Sequence, residues 1–412
     1  MSSVSAIAVR PEAASRQLSP GAAFLLLASI TVSFLAGSSA PTPLYPTYMG
    51  QWGLSPLTIT IIFGIYAIAV LSALLVAGRL SDHLGRRPVL MGAAIAQAVS
   101  MGMLAVADGA HGLIAARVLQ GLAAGAALTA VGAGMLDLDK ARGATANSVA
   151  PPVGTALGAL VSGLFVQFLP APTHLVYGVF AGIFVAQAVL LLYMRETITP
   201  RAGVLRSLIP RLYLPAATRE PLLLAIPVLV AVWALGGFYA SVAPLLVKGM
   251  FGTHSPLLGG LGLFVLAASA GVAVLILQRQ EPVRMLIVGA GALLVGVGVV
   301  LVALPAGSVE LFFVGTAVAG IGFGTGFQGS VRTVVAHAAP HERAGVLAVV
   351  FIVSYLAMGV PAVIAGARVA RYGDILQTSV MFGDVIAGLA AAALVASGLR
   401  VMTRRRIRGG VT

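Results

Sequence analysis

The stretch Gly78-Arg-Leu-Ser-Asp82-His-Leu-Gly85-Arg86-Arg87-Pro88 lies between two long apolar segments, residues 57–77 and 89–107. Because its charged side chains cannot lie in hydrocarbon, the stretch must be a short water-facing turn that joins two membrane spans. Gly78 and Gly85 permit backbone conformations and close helix contacts that other residues resist. Pro88 suits the first turn of a helix, where its missing N–H costs little. The turn therefore predicts a chain built from apolar helices that cross a membrane.

These residues follow the pattern Gly-x-x-x-Asp-(Arg/Lys)-x-Gly-Arg-(Arg/Lys), so the stretch resembles the loop between helices two and three of the major facilitator superfamily. His83 departs from the pattern, since the family has Arg or Lys there. The resemblance implies a cytoplasmic gating loop in which Asp82 pairs near a helix end of the opposite half and Arg86 holds a carboxylate. The alternative is a charged loop that only fixes topology. The residues assigned to the loop motif are Gly78, Asp82, Gly85, Arg86 and Arg87.

The composition is that of a polytopic membrane protein. Of the 412 residues, 59% are hydrophobic and 9% are charged, and the mean hydropathy is +1.02. A water-soluble chain of this length needs more polar residues to cover its surface. About twelve apolar runs of membrane length follow one another between Ala22 and Leu399, each near the ~20 residues that a helix needs to cross a bilayer. The absence of Cys excludes disulfides, thiolate metal sites and a Cys nucleophile.

The basic residues predict the orientation. Of the 25 Lys and Arg, all but four lie in the tails and in one alternate set of loops; the exceptions are Lys248, Arg368, Arg371 and Arg117. Loops rich in Lys and Arg stay in the cytoplasm. We therefore expect a multi-pass protein of the cell (inner) membrane with both termini cytoplasmic. The net charge of +13 then reflects topology and attraction to anionic lipid, and nucleic acid is not expected as a partner.

The two halves of the chain are related. Pro41 in the first span recurs as Pro244 in the seventh, and Thr173-x-x-x-Tyr177-Gly178 recurs as Thr378-x-x-x-Phe382-Gly383. Duplicated halves around a central site are typical of secondary transporters. We predict an all-α protein with twelve transmembrane helices in two pseudo-symmetric six-helix bundles, the major facilitator fold. The predicted parts are a disordered tail 1–20, an N-terminal bundle 21–194, a linker 195–220, a C-terminal bundle 221–400 and a basic tail 401–412.

Two ionisable residues lie inside predicted spans. Asp384 is ~14 Å from the start of its span at ~1.5 Å per residue, near the middle of a ~30 Å core. A carboxylate there should face protein or water, so Asp384 is a candidate proton carrier, or else a satisfied structural acid. Arg117 begins Arg117-Val-Leu-Gln120-Gly121, which resembles the Arg-x-x-x-Gly motif of the family's helix four. The resemblance implies proton coupling or substrate attraction by Arg117 with Gln120 beside it; the alternative is an Arg that extends to the membrane surface.

Glycines in the fourth and fifth spans predict close helix packing. The fifth span resembles the family's antiporter motif, Gly-x-x-x-Gly-Pro-x-x-Gly-Gly, with Ala159 in place of the proline. The resemblance favours export. The packing glycines are Gly121, Gly154, Gly158 and Gly163.

Hydroxyl, amide and aromatic side chains within the spans are candidates to line a central cavity. The alternative for Tyr45 is an aromatic belt at the membrane interface, and for the other aromatic candidates it is core packing. Such a cavity suits lipophilic or weakly basic compounds better than sugars or phosphates. The candidates are Ser38, Ser39, Thr42, Tyr45, Trp233, Tyr239, Gln328 and Tyr355.

We expect a secondary transporter that exports a small molecule by alternating access and is driven by protons. Uptake of a metabolite such as a sugar or an organic acid is the alternative, and a membrane receptor or scaffold that moves nothing is an alternative of another class. No enzyme activity, cofactor or metal site is expected, because the sequence has no nucleotide-binding loop, metal-binding cluster or nucleophile with a base. The chain is expected to act as a monomer in the lipid bilayer.

Overall fold

The computed structural model describes residues 17–210, 212–251 and 255–409. Sixteen α-helices and one 3₁₀ turn, Thr42–Leu44, follow one another in this part of the chain. The helices are α1 Pro20–Ser39, α2 Tyr45–Trp52, α3 Pro56–Ala77, α4 Leu80–Leu84, α5 Arg86–Ala105, α6 Ala110–Leu138, α7 Lys140–Phe168, α8 Pro172–Leu191, α9 Val204–Ser207, α10 Ala216–Ser241, α11 Ala243–Phe251, α12 Pro256–Leu277, α13 Pro282–Ala306, α14 Val309–Val335, α15 Arg343–Tyr372 and α16 Ile375–Gly409.

Twelve stretches of the described chain are long and apolar enough to cross a membrane. Helix α1, the 3₁₀ turn and α2 together form the first of these, Pro20–Trp52, and the last is Ile375–Gly398. Helices suit this environment because hydrocarbon offers their backbone groups no hydrogen-bond partners, so each span must satisfy its own. The prediction of an all-α membrane protein with twelve spans is confirmed.

Several spans start where the sequence supplies a cap. Ser19 precedes Pro20 and its Oγ accepts a hydrogen bond from the Ala22 N–H at 3.3 Å. Ser55 precedes Pro56 in the same way, and its Oγ accepts from the Thr58 N–H at 3.1 Å. The serine hydroxyl accepts from a backbone N–H that has no partner within the helix. The proline fixes the first helical φ, and it lacks only an N–H that would have had no helical partner at this position.

The buried apolar residues form two clusters, one in the N-terminal half and one in the C-terminal half together with Ala159 of α7. The halves meet mainly where α3 packs on α15 and α7 packs on α12. The helix ends that carry Arg86, Arg284, Arg343 and Arg400 lie at one end of the protein, here called the basic face; the other end is the opposite face. This arrangement leaves a cleft between the halves, and the candidate site lies in it.

The chain ends differ in part from the predicted boundaries. Residues 1–16 and 410–412 lie outside the described residues, so most of the predicted N-terminal tail does too. Helix α16 continues through residues 401–409 rather than ending at residue 400. The linker contains the short helix α9, which packs on α4.

Candidate functional site

The loop between α3 and α5 is built around Gly85. Its φ of 104° is one that side chains disfavour, and a Cβ there would lie 2.5 Å from Glu196 Oε2. Glycine therefore lets the Glu196 carboxylate reach the start of α5. The carboxylate accepts hydrogen bonds from the backbone N–H groups of Arg86 at 2.8 Å and Arg87 at 3.0 Å. A negative charge at a helix N-terminus is stabilising. Gly78, by contrast, has ordinary right-handed helical angles.

Arg86 is the centre of a charge network on the basic face. Its guanidinium is largely buried and donates to Asp82 Oδ1 at 2.6 Å, to Ser81 Oγ at 2.6 Å and to Asp137 Oδ2 at 3.2 Å. The arginine thus holds two carboxylates. The expectation that Asp82 pairs with the opposite half is wrong for this conformation, because the nearer cation, Arg86, lies one helical turn away.

His83, the residue that departs from the family pattern, connects the loop to the linker. Its Nδ1 donates to the Ala202 carbonyl oxygen at 3.0 Å and lies 3.3 Å from that of Arg201. In return, the Arg201 N–H donates to the His83 carbonyl oxygen at 3.2 Å. These hydrogen bonds attach the linker directly to the loop between α3 and α5.

A cavity of about 210 Å³ lies between the halves. Six rings line it, from α3, α10, α14 and α15, and uncharged polar side chains supply the rest of its hydrogen-bonding surface. The rings are Phe63, Tyr66, Trp233, Phe323, Phe327 and Tyr355. Three of them form one corner: Trp233 lies 5.4 Å from Phe327 and 5.0 Å from Tyr355 between ring centroids.

Most of the predicted lining residues reach this cavity, but two do not. Tyr45 and Tyr239 are buried in the cores of their own bundles, so their assignment to the cavity is wrong. Tyr239 instead hydrogen-bonds the Thr316 hydroxyl at 2.7 Å, within the C-terminal bundle. The sequence does not indicate which aromatic side chains of these two spans face the cavity and which face the core. The predicted residues that do line it are Ser38, Ser39, Thr42, Trp233, Gln328 and Tyr355.

Arg117 lies directly behind the cavity wall. Only 1% of it is exposed, so it does not extend to the membrane surface as the alternative required. Its guanidinium carbon lies 4.0 Å from the centre of the Tyr66 ring, and Nη1 donates to the Ser38 carbonyl oxygen at 2.9 Å and to Gln120 Oε1. Tyr66 and Ser38 both line the cavity. No described Asp or Glu forms an ion pair with Arg117.

Asp384 lies on the outer surface of α16, away from the cavity. Its carboxylate therefore does not face the protein interior in this conformation. Helix α16 packs inward through Phe382, whose ring lies 5.1 Å from that of Phe238, and through Ile386, which is buried. Asp384 is two residues from each and so points about 200° away around the helix. No described residue forms an ion pair or a hydrogen bond with it.

The four packing glycines lie where helices meet. A Cβ at Gly121 would be 2.7 Å from the Tyr66 carbonyl oxygen on α3, and one at Gly154 would be 2.9 Å from Leu35 Cβ on α1. A Cβ at Gly158 would overlap Ala36 and Ser39 on α1. Gly163 contacts Leu257 of the other half. These close contacts hold α6 and α7 against their own bundle, and α7 also against the second one.

The two ends of the cleft differ. At the opposite face the halves touch: Thr42 Oγ1 donates to the Ala240 carbonyl oxygen at 2.9 Å, and a Cβ on Gly366 of α15 would overlap Thr60 of α3. At the basic face, a gap of about 640 Å³ separates the ends of α3 and α6 from α15 and the linker. Arg79 of the N-terminal half and Glu342 of the C-terminal half both line this gap. At the same face α7 still contacts α12, because the Thr145 hydroxyl donates to Gln278 Oε1 at 3.3 Å. The gap at the basic face therefore lies on the α3–α15 side of the cleft.

Comparison with known proteins agrees with this geometry. The family model of the Major Facilitator Superfamily matches residues 27–362. The chain belongs to the Major Facilitator Superfamily. Members of the superfamily are transporters, and the prediction of the family from the loop at residues 78–88 is confirmed.

Solved structures of the superfamily share the fold. A bacterial homologue of the human lysosomal transporter Spinster, inward-facing and unoccupied, has a TM-score of 0.73 at 14% identity, over 94% of this chain and 98% of that one. The nucleoside transporter NupG has a TM-score of 0.68 at 12% identity, over 91% and 98% of the two chains. The human organic anion transporter MFSD10 (TETRAN) has a TM-score of 0.65 at 17% identity, over 92% and 100%.

A curated protein is similar to this chain over part of its length. A chloramphenicol resistance protein from Pseudomonas aeruginosa is 32% identical over 149 residues. The aligned part is 34% of this chain and 36% of that protein, so the similarity covers about a third of each.

Sequence reasoning missed several residues of the site of this superfamily member. Phe63, Tyr66, Phe323 and Phe327 lie among apolar residues that give no sign of a cavity, and only the fold separates them from core rings. Asn147 did carry a signal, since an amide within a span is unusual. Its Nδ2 donates to the Gly132 carbonyl oxygen at 3.0 Å while the residue lines the cavity.

Proposed function

We propose that this protein exports small lipophilic molecules across the cell membrane by alternating access, with the basic face in the cytoplasm. The observation that carries the proposal is the central cavity between the halves, which is lined by rings and uncharged polar groups. The halves touch at the opposite face, and a gap lies between α3 and α15 at the basic face. Apolar walls with a few polar groups bind compounds of this kind. The partial similarity to a chloramphenicol resistance protein supports export as the direction and chloramphenicol as a first substrate to test.

Proton coupling stays part of the proposal, but Asp384 is not its carrier. A coupling group has to bind and release a proton within reach of the substrate path. Asp384 lies on the outer surface, and the described residues that line the central cavity include no Asp, Glu or His. A guanidinium is not a proton carrier in proteins, so the part of Arg117 in a cycle would be electrostatic.

The same lack of titratable lining groups favours a second candidate function. The protein would then be a facilitator that lets a metabolite move down its own gradient, in either direction. A facilitator needs alternating access but no proton carrier, and the described lining fits that requirement.

Flux of chloramphenicol in proteoliposomes, measured with and without an imposed pH gradient, tests both candidates. We expect saturable flux that a proton gradient accelerates. Flux that ignores the gradient would favour the facilitator, and the absence of saturable flux would contradict export of this compound.

A matched pair of variants separates transport through the cavity from leakage. Ser148 lines the cavity and Ser72 faces away from the protein, and each hydroxyl donates to the carbonyl oxygen four residues earlier, at 3.0 and 2.8 Å. Ser148→Trp fills the mouth of the cavity and should reduce flux at least about tenfold, which corresponds to about 1.4 kcal/mol of lost binding. Ser72→Trp should leave flux unchanged. Equal effects of the two substitutions would mean that substrate does not pass through this cavity.

A further inference from the structure

The walls of the central cavity carry no formal charge among the described residues. The residues that line it are aromatic, aliphatic, hydroxyl-bearing or amide-bearing. An ion that enters such a cavity gives up most of its hydration, and without an opposite charge beside it the loss is not recovered. The lining alone therefore favours uncharged molecules.

Several hydroxyl groups of the lining already donate to backbone carbonyl oxygens of the protein. Ser38 Oγ donates to the Phe34 carbonyl oxygen at 2.7 Å, and Thr42 Oγ1 donates to that of Ala240 at 2.9 Å. The indole N–H of Trp233 differs, since it is buried and has no hydrogen-bond partner among the described residues. A buried N–H without a partner is unfavourable. A bound molecule that places an oxygen beside Trp233 removes that penalty.

The formal charge closest behind the wall is positive. Arg117 touches Tyr66 and Ser38 from the side away from the cavity, and no described carboxylate neutralises it. Its field therefore opposes a cation in the cavity. An anion gains little direct contact in return, because Arg117 is almost fully buried and the Tyr66 ring lies across its guanidinium.

We infer that the central cavity selects uncharged aromatic molecules that carry a hydrogen-bond acceptor, and that Arg117 acts as a selectivity residue that excludes lipophilic cations. The inference rests on the proposed function, because it names the substrate class of the same cavity. It replaces the expectation of weakly basic compounds with a narrower class. The acceptor binds at the corner formed by Trp233, Phe327 and Tyr355.

Three probes of nearly equal size and different charge test the inference by equilibrium binding. They are triphenylphosphine oxide, which is uncharged and an acceptor, the cation methyltriphenylphosphonium and the anion triphenylacetate. The chain has two tryptophans, so the full-length Trp52→Phe protein reports binding through Trp233 fluorescence alone. We expect the oxide to bind at least tenfold more tightly than either ion. Equal or tighter binding of the cation, tighter binding of the anion, or no binding of the oxide would each overturn the inference.

Substitution of Arg117 tests its part in the selection. Arg117→Met should reduce the preference for the oxide over the cation at least fivefold, measured as the ratio of the two dissociation constants. The ratio is independent of the fraction of protein that folds. Arg284→Met, which removes an exposed charge at the start of α13, should leave the ratio unchanged. An unchanged ratio in Arg117→Met would show that Arg117 is structural.

The binding measurements test the inference and the flux measurements test the proposed export, so the failure of one can be told from the failure of the other. Selective binding of the oxide without flux in proteoliposomes would contradict the proposed export and support the inference. Saturable flux of chloramphenicol together with equal binding of the three probes would support export and overturn the inference.

Discussion

Closure of the cleft at the opposite face depends on the absence of a side chain at Gly366. A Cβ at this position would overlap Thr60 Oγ1 and lie 2.7 Å from Thr60 Cγ2 and 2.8 Å from Thr60 Cβ. All three atoms belong to a buried residue of the other half, so they cannot move aside without shifting α3. Gly366→Ala should therefore destabilise the closed arrangement by about 1–3 kcal/mol, the usual cost of overpacking.

This cost should change the conformational equilibrium rather than the fold. The clash disappears when α3 and α15 separate at the opposite face, so the variant should favour the arrangement that is open there by about 5- to 150-fold. The chain has no Cys, which allows spin labels to be placed without background. Spin labels at positions 55 and 372 would lie near the ends of α3 and α15, where Ser55 and Tyr372 are exposed. Double electron–electron resonance should then show a larger population of long label-to-label distances in Gly366→Ala than in the parent.

Two further variants make the measurement specific. Gly388→Ala adds a methyl group where nothing lies within 4 Å, so its distance distribution should match that of the parent. Thr60→Ala removes two of the three clashing atoms and should partly restore the shorter distance in the Gly366→Ala background. If Gly366→Ala has the parent distribution, the two helices are not in this contact at the opposite face, and the assignment of the closed end is refuted.

Three other substitutions test the remaining parts of the structure. Asp384→Leu removes a carboxylate from the exposed side of α16. If that side faces lipid, the variant should raise the free energy of unfolding in lipid nanodiscs by up to about 3 kcal/mol, seen as a higher melting temperature, and leave flux unchanged; loss of flux would place Asp384 in the mechanism. Tyr239→Phe removes the hydrogen bond to Thr316 and should cost about 1 kcal/mol in thermal unfolding without changing substrate affinity, whereas a changed affinity would return Tyr239 to the cavity. Glu196→Ala removes the carboxylate that caps α5 and should destabilise the N-terminal bundle by about 1–2 kcal/mol; hydrogen exchange of the Arg86 and Arg87 amides should accelerate, and unchanged exchange would contradict the cap.

The fold could be predicted from the sequence because a bilayer leaves few choices. Backbone groups in hydrocarbon must be satisfied within each helix, so apolar length alone indicates the spans. The motif around Gly85 made the family predictable. The structure explains the glycine of that motif, because the positive φ and the nearby carboxylate leave no room for a side chain. Neither conclusion required knowledge of which residues meet in space.

The candidate site was less predictable because contacts between spans decide it. Tyr45 and Tyr239 resemble cavity residues in sequence, yet each points into its own bundle. Spans that are apolar all round have no polar stripe to indicate the inward side. Asp384 shows a second limit: the cost of a charge in hydrocarbon predicted an inward side chain, but the packing of Phe382 and Ile386 set the rotation of α16.

The contacts of the linker show which part of it is attached to each of the two halves of the transporter. The linker is attached to the N-terminal bundle as far as Ser207. The attachments are the hydrogen bonds of Glu196, the contacts of His83 with residues 201 and 202, and the packing of α9 on α4. From Tyr213, which contacts Gly345 at the start of α15, the linker is attached to the C-terminal bundle. The contacts of the linker thus pass from the first bundle to the second between Ser207 and Tyr213. A gene split there should yield two fragments that reassemble when co-expressed, whereas a cut at residue 195 would leave the first fragment without the strap that holds its own loop.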